Sequence, residues 1–384
     1  MLVSRFPFPL DKGDKLRAFH QLKELHKNYD ITLFALSDSE LKSKEIEMVQ
    51  KYCSELIIHR QTRLQKGWNT AKSFFNKLPF QVGYFYSKAA HEKVKSLIKD
   101  NSFNHIYCQL LRVSEYVKNE HAIPKTLDYM DALSVGIQRR IDQQPFYKKW
   151  LFKSEAKRLR SYESRMFDFF ENHTIISAQD RQLILHPEAG KIHCIPNGID
   201  ASFFENIPTN KTHDFVFVGN MSYAPNISAV HYIHDKILPQ FPNSSLLISG
   251  SSPTAKVLKL AENSKQIQIT GWVDDIRTSY LRGKIFLAPM MIGTGMQNKL
   301  LEAMALGIPC ITTPLANSPI KTVHEKEILV AQNEEEFVTA VNRLLSDPDL
   351  YQVISDNARN FVQAAYSWGK TSEELSALFN NHAK

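Results

Sequence analysis

The stretch Gly293–Pro309, "GTGMQNKLLEAMALGIP", follows directly on the apolar run "KIFLAPMMI" at 284–292. The run reads as a buried strand, and the glycines then sit in a turn that opens a helix. In open α/β sheets, ligands bind beyond the carboxyl ends of the strands. Gly293 and Gly295 let backbone N–H groups approach an anion closely, and the helix start adds a favourable dipole. Lys299 can supply a point charge to a diphosphate. Glu302, at i+3 on the same helix face, can accept hydrogen bonds from a vicinal diol such as ribose. The competing reading is a tight strand-to-helix turn with an ordinary surface Lys–Glu pair, worth a few tenths of a kcal/mol. The motif lacks the third glycine of G-x-G-x-x-G, because Asn298 stands there, and it is not a Walker loop.

Outward from this stretch the same rhythm repeats. "DFVFVGN", "SSLLISG", "QIQITGW", "IPCITTP" and "EILVA" alternate with helix-length amphipathic segments after residue 213, and "MLVS", "DITLFALS", "SELIIH", "HIYCQ" and "KTLDYMD" do so before residue 132. This is the pattern of βαβ units, and it predicts two parallel sheets wrapped by helices. Between them "IPNGIDASFFENIPTNKTHD" has the composition of a linker, which places the boundary near Asn197. The C-terminal segment reads as two helices interrupted near Trp368 and Gly369.

The bulk properties narrow the class. A chain of 384 residues has the length of two domains, and 43% hydrophobic with 23% charged residues is globular composition. No apolar run is long enough to span a membrane, and "MLVSRFPFPL" lacks the apolar core of a signal peptide. Cys53, Cys108, Cys194 and Cys310 are scattered without a C-x-x-C pair, so a reducing cytoplasm is expected and no zinc knuckle is indicated. The formal charge of +7 and pI near 9.0 favour anionic partners. No nucleic-acid-binding motif accompanies that charge.

The segment "GWVDDIRTSYLRGKIFLAPMMIGTGMQNKLLEAMALGIPCITT", with "RFPFPLDKGDKLRAFHQLKEL", "LDYMDALS", "IPNGID" and "FVGNMSYAPN", resembles the retaining GT-B glycosyltransferases of group 1, or family 4. The overall pattern looks most like bacterial transferases of exopolysaccharide and surface glycans. The resemblance implies the GT-B fold: two Rossmann-like parallel-sheet domains facing across a cleft. These would be an acceptor-binding domain at 1–197 and a nucleotide-sugar-binding domain at 198–365, with a C-terminal helix at about 366–384 packing back on the first.

Residue by residue, Glu302 matches the second Glu of the family's E-x7-E element, the one that binds the donor ribose. Thr294 occupies the place of the first Glu, and Asn220 that of an arginine facing the diphosphate. Lys299, Asn220 and the loop amides would then carry the diphosphate. "TGWVDD" implies that Trp272 and Val273 cradle the base; on residue type alone, Trp272 reads as a core aromatic and Asp274 or Asp275 as a helix cap. Gly13 would approach the donor phosphate or acceptor, with Asp14 capping the helix. The opening "MLVS" is shorter than the family's usual first strand, leaving room for native residues upstream. Asp131 would orient an acceptor hydroxyl; its alternative is a turn or cap aspartate.

No metal or organic cofactor is expected. "DPD" at Asp347 reads as a Pro-containing helix cap and not as a metal motif, and His231 and His234 lack companion ligands. The basic segment "RRIDQQPFYKKWLFKSEAKRLRSYESR" fits an anionic membrane surface, or a helix packed along Phe152, Ala156, Leu159, Glu163 and Met166 with a solvated basic face. The activity expected is metal-independent, retaining transfer from a UDP- or GDP-sugar to a saccharide or lipid-linked acceptor, by a cytoplasmic protein, peripheral at the inner face of the plasma membrane. The alternatives are a catalytically silent nucleotide-sugar-binding subunit and a sugar-nucleotide epimerase or hydrolase on the same fold.

Overall fold

The computed structural model describes residues 1–141, 144–262, 264–292 and 296–380. The chain divides into two compact units: Met1–Asn197 with the chain from Trp368 onward, and Gly198–Ser367.

Unit 1 is built on a parallel sheet of β1 (Leu2–Val3), β2 (Thr32–Ser37), β3 (Glu55–Arg60), β4 (Ile106–Gln109), β5 (Lys125–Asp128), β6 (Asn172–Ile175) and β7 (His193–Cys194), in the order β3-β2-β1-β4-β5-β6-β7. Along β2, Leu33 and Ala35 enter one apolar cluster while Phe34 and Leu36 enter another. The two-residue alternation thus fills both faces, as a helix-covered parallel sheet requires. Sequence patterning missed β6, because "NHTI" carries polar residues inward, and β7, because "HC" is two residues long with His193 exposed. The inward residues are satisfied: Asn172 Nδ2 donates to the Leu378 carbonyl at 2.9 Å, and His173 Nε2 lies 3.0 Å from the Phe167 carbonyl.

The helices that matter here are α1 (Gly13–Leu25), α2 (Arg63–Asn76), α3 (Phe80–Phe85), α4 (Leu133–Arg139) and α5 (Phe146–Phe167). In α5, Ala156, Leu159, Glu163 and Met166 are buried while Lys153, Lys157 and Arg160 are exposed. Two of its carboxylates serve neighbouring helix starts. Glu155 accepts from the Phe80 and Gln81 N–H groups at 2.7 and 2.9 Å, and Glu163 from Ser134 N–H at 2.9 Å. Each satisfies otherwise orphaned donors and opposes a positive helix end.

At the centre of unit 1 is a fully buried ion pair. Arg17 Nε donates to Asp128 Oδ2 at 2.6 Å and its Nη1 to Asn197 Oδ1 at 2.9 Å. Asp128 also accepts from Tyr107 Oη and Thr174 Oγ1, both at 2.9 Å. One carboxylate therefore joins α1, β4, β5 and β6.

Unit 2 repeats the architecture with β8 (His213–Val218), β9 (Leu246–Ser249), β10 (Ile267–Gly271), β11 (Gly283–Ala288), β12 (Cys310–Thr312) and β13 (Leu329–Val330), in the parallel order β10-β9-β8-β11-β12-β13. Helices α6 (Ala224–Tyr232), α7 (Ile276–Leu281) and α8 (Asn298–Ala305) pack on it. The strand order reverses between β8 and β11, as it does in unit 1 between β1 and β4, and such reversals open a crevice at the carboxyl ends. The interdomain segment is not featureless: Asp200 caps a short turn at Ala201–Phe204, and Ile199 pairs with Ser367. Asp347 accepts from Leu350 N–H at 2.9 Å, capping the helix that Pro348 begins. The last helix, α9 (Trp368–Asn380), returns to unit 1, where Trp368 stacks on His20 at 4.9 Å and Leu375 joins the cluster of Ala18 and Leu22.

Asp128→Asn leaves the Arg17 charge buried without its counter-ion, and breaking such a pair costs about 3–5 kcal/mol. The urea midpoint of unit 1 should fall accordingly. A midpoint equal to that of the native chain would show that the pair does not hold the unit together.

Candidate active site

The strand reversal of unit 2 falls between β8 and β11. After β8 the chain turns sharply: Asn220 Oδ1 accepts from Ser222 N–H at 2.9 Å and from Ser222 Oγ at 2.7 Å. Gly219 is required here, since a Cβ on it would lie 2.6 Å from Asn226 Nδ2. Gly250, at φ +134° after β9, is equally constrained, its Cβ position being 1.9 Å from the Gly219 carbonyl oxygen. These close approaches bring Asn226, in the first turn of α6, to the reversal point. Its Nδ2 donates to the Asn220 carbonyl at 2.9 Å, and its Oδ1 accepts from Lys299 Nζ.

Lys299 is thus drawn across the crevice from α8 to α6. Its ammonium also lies 5.2 Å from the centre of the Phe217 ring and 3.8 Å from Met290 Sδ. Burial lowers its pKa to about 8, against the opposing pull of Glu302. Glu302 turns elsewhere and accepts from Tyr280 Oη of α7 at 2.7 Å. Burial raises the Glu302 pKa, and burial, followed by the Glu302 charge, holds the Tyr280 phenol well above its usual value. The i, i+3 pair is therefore not a surface ion pair. Its two members are separately anchored in the interior, and Lys299 keeps a positive charge whose hydrogen-bond partner is a neutral amide. A half-buried cation whose only hydrogen-bonding oxygen among the described residues is that of a neutral amide is suited to an anion.

The other expected residues fall into three places. Trp272 and Val273 follow β10 on the same carboxyl edge; Trp272 is 69% exposed, which excludes the core-aromatic reading, while Asp275 caps α7 by accepting from Arg277 N–H at 3.0 Å. Gly293, Thr294 and Gly295 lie outside the described residues. Gly13 and Asp131 belong to unit 1.

Gly13 is exposed at the first position of α1. Asp14 does not cap that helix, contrary to expectation. Lys12 is the cap residue, and the Asp14 carboxylate is taken by Arg5 and, at 3.4 Å, by Arg112. Asp131 follows Met130, which adopts φ 62° just past β5. Its carboxylate reaches solvent yet is crowded by protein, which raises its pKa to about 6 with help from Asp180, against Arg112 and Arg140. Sequence reasoning assigned no role to Asn226, Tyr280 or Arg112. A side-chain amide just after a proline, an aromatic within a helix and an arginine in a short helical turn carry no distinguishing local pattern.

Comparison with known proteins agrees with this geometry. Residues 212–347, nearly all of unit 2, match the family described as Glycosyl transferases group 1. An uncharacterized 44.6 kDa protein in the cps region of Klebsiella pneumoniae is 22% identical over 98% of this chain and 97% of its own length. The UDP-Gal:alpha-D-GlcNAc-diphosphoundecaprenol alpha-1,3-galactosyltransferase of Escherichia coli is 26% identical over 51% of this chain and 55% of its own. Among solved structures, Anabaena HepE in complex with UDP and glucose superposes with TM-score 0.68 at 11% identity, covering 99% of this chain and 98% of that one. The fold is that of the GT-B proteins. Within it, unit 2 carries a group 1 glycosyltransferase domain.

Because the charged form of Lys299 is the one that attracts a diphosphate, nucleotide affinity should be full below pH 8 and decline as pH rises through it. Lys299→Ala and Glu302→Gln should each weaken nucleotide binding about tenfold or more, the loss of a charged hydrogen bond worth about 1.5–3 kcal/mol. Calorimetry on folded variants checks both, and unchanged affinity in either variant would remove that residue from the site.

Proposed function

We propose that the chain transfers a sugar from a nucleotide sugar to a saccharide or lipid-linked acceptor, with retention at the anomeric carbon and without a metal ion. The observation that carries this reading is Lys299, a half-buried cation bonded to a neutral amide at a sheet reversal. Donor binding is assigned to unit 2: Glu302 to the ribose, Trp272 and Val273 to the base, Thr294 to the donor sugar hydroxyls, and Asn220, Lys299, Gly293 and Gly295 to the diphosphate. In unit 1, Gly13 is assigned to the donor phosphate or the acceptor, and Asp131 to the acceptor.

As the bond between the anomeric carbon and the diphosphate oxygen breaks, negative charge grows on the leaving group. Lys299 and the amides at the start of α8 stabilise it, which is electrostatic catalysis of the kind a metal supplies elsewhere. The acceptor hydroxyl, oriented by Asp131, attacks from the face the diphosphate leaves and gives its proton to the departing phosphate oxygen. HepE, solved with UDP and glucose, supports a uridine nucleotide as the first donor to try. The Escherichia coli relative, which acts on a diphosphoundecaprenol-linked sugar, supports a lipid-linked acceptor and a role in surface-glycan assembly.

The test is a panel of UDP- and GDP-sugars with lipid-linked and free saccharide acceptors, in the presence of EDTA. Product with retained configuration is expected. Loss of activity with EDTA and recovery with manganese would refute metal independence. Donor consumption without acceptor would favour an epimerase or hydrolase, and donor binding without turnover a silent subunit. Asp131→Asn should bind donor normally but transfer poorly. With its carboxyl pKa near 6, native transfer should fall as pH drops through 6 and the group becomes protonated.

A peripheral membrane position at the inner face of the plasma membrane belongs to the same reading. Among the described residues no helix is long and apolar enough to cross a membrane. The start of α5, however, exposes Phe146 (85%), Tyr147 and Trp150 beside Lys148, Lys153 and Lys157. Aromatic side chains flanked by cations suit an anionic lipid interface, at about 1 kcal/mol per surface lysine. Vesicles with anionic lipid should float the native chain, and Lys148→Gln/Lys153→Gln/Lys157→Gln should reduce flotation. Negligible flotation of both would leave a solvated helix and a soluble acceptor.

A further inference from the structure

The loop after β1, the end of β2 and the inner face of α2 enclose a cavity of about 140 Å³, reached by Ser4, Arg5, Lys12, Ser37, Asp38 and Lys66. It lies at the carboxyl ends of β1 and β2, beside the strand reversal of unit 1, where open α/β sheets take ligands.

Its charge is unusual. The Lys66 side chain is 2% accessible, and its ammonium lies 3.3 Å from Asp38 Oδ2 and 4.7 and 4.9 Å from the centres of the Tyr84 and Phe85 rings. The Arg5 and Arg112 guanidinium groups lie 5.5 and 5.3 Å from the centre of that same Phe85 ring. Three cations therefore share one aromatic platform. Arg5 and Arg112 also share one carboxylate, Asp14, and the Asp38 side chain is half exposed.

Lys12 lines the cavity and makes no side-chain hydrogen bond or ion pair among the described residues, while Lys15 is occupied by Asp11 at 2.8 Å. Lys42, Glu40 and Glu45 complete the charged rim. An aromatic face attracts each cation but supplies no counter-charge. The mutual repulsion is visible in the protonation equilibria. Burial lowers the Lys66 pKa and Asp38 opposes that, while Arg5 and Lys12 lower it further; burial and then Arg5 lower that of Arg112. A group with two or more negative charges, held by Lys and Arg donors already in place, would remove that cost.

We propose that this cavity binds the phosphate or diphosphate of the acceptor, an assignment that rests on the reading of unit 1 as the acceptor side. Arg112 connects it to the reacting end. That arginine acts on the Asp131 carboxylate as well as on Asp14, and Asp131 lies on the same carboxyl edge of the sheet. The outer face of α2 bears on the source of the phosphate. Leu64, Trp68 and Phe75, spaced to lie on one helix face, are all exposed, Phe75 at 90%. The helix that sends Lys66 into the cavity thus presents an apolar stripe to its surroundings, which fits a phosphate carried on a lipid.

Calorimetry with inorganic pyrophosphate tests the site, using the full chain and its Lys299→Ala, Lys12→Gln and Lys66→Met variants. The native chain and Lys299→Ala should both bind. Lys66→Met should bind at least about tenfold more weakly, and Lys12→Gln, altered at an exposed position that cannot affect folding much, several-fold more weakly, with UDP affinity unchanged in the latter. Pyrophosphate binding that is absent in the native chain, or equal in native, Lys12→Gln and Lys66→Met proteins, overturns the proposal. If UDP fails to bind the native chain while pyrophosphate binding follows Lys66, the donor reading falls and this site stands. Displacement of pyrophosphate by polyprenyl phosphate in detergent micelles, and not by empty micelles, assigns it to a lipid-linked phosphate. Displacement by a soluble sugar phosphate alone assigns it to a free one.

Discussion

Arg17 lies wholly inside unit 1, and its charge is tolerable there only because Asp128 accepts two of its N–H groups while Asn197 and the Pro196 carbonyl take a third. That balance positions everything at the carboxyl edge of the sheet. It fixes where α1 begins and so where the loop carrying Arg5 and Lys12 can run. It also fixes the end of β5, three residues before Asp131. Tyr107 and Thr174 use the remaining acceptor capacity of Asp128. A hub with every group paired gains rigidity and has no capacity left for a ligand.

Unit 2 meets the same topological problem at its own strand reversal and resolves it differently. There the crossing contact runs from Lys299 to Asn226, an amide, and the adjacent carboxylate, Glu302, is occupied by Tyr280. The charge of Lys299 is held in place but not neutralised. The contrast between Arg17 and Lys299 separates two kinds of cation. One is a closed ion pair, and the other is a cation hydrogen-bonded to a neutral amide.

These two arrangements differ in how far the sequence reveals them. The βαβ rhythm is legible because buried parallel strands are continuous apolar runs such as "TLFALS" and "KIFLAPM". Strand β6 is not, since its inward polar residues are satisfied only in the fold, Asn172 by the Leu378 carbonyl 206 residues along the chain and His173 by the Phe167 carbonyl, and β7 is too short to show a pattern. The role of Asp14 is misread for the same reason: a carboxylate at a helix start usually caps it, and here Arg5 and Arg112, the latter 98 residues along the chain, take it instead. Asn226 and Tyr280 acquire their roles only when the reversal of strand order sets α6, α7 and α8 side by side. Periodicity reports burial; it does not report which buried groups meet.

The positive balance of the chain is distributed over surroundings that water and salt reach to different degrees. At physiological ionic strength the screening length is about 8 Å, so the exposed lysines of α5 act on a surface only at short range and lose influence as salt rises. Lys66 and Lys299 are shielded by the protein itself, Lys66 beneath aromatic rings and Lys299 between two helices, and salt reaches their fields far less. Attachment and ligand binding are therefore separable by ionic strength. Under the proposed reading, the exposed charges set how long the protein stays at a surface and the shielded ones which anions it retains there, and that division follows from where the fold places each lysine.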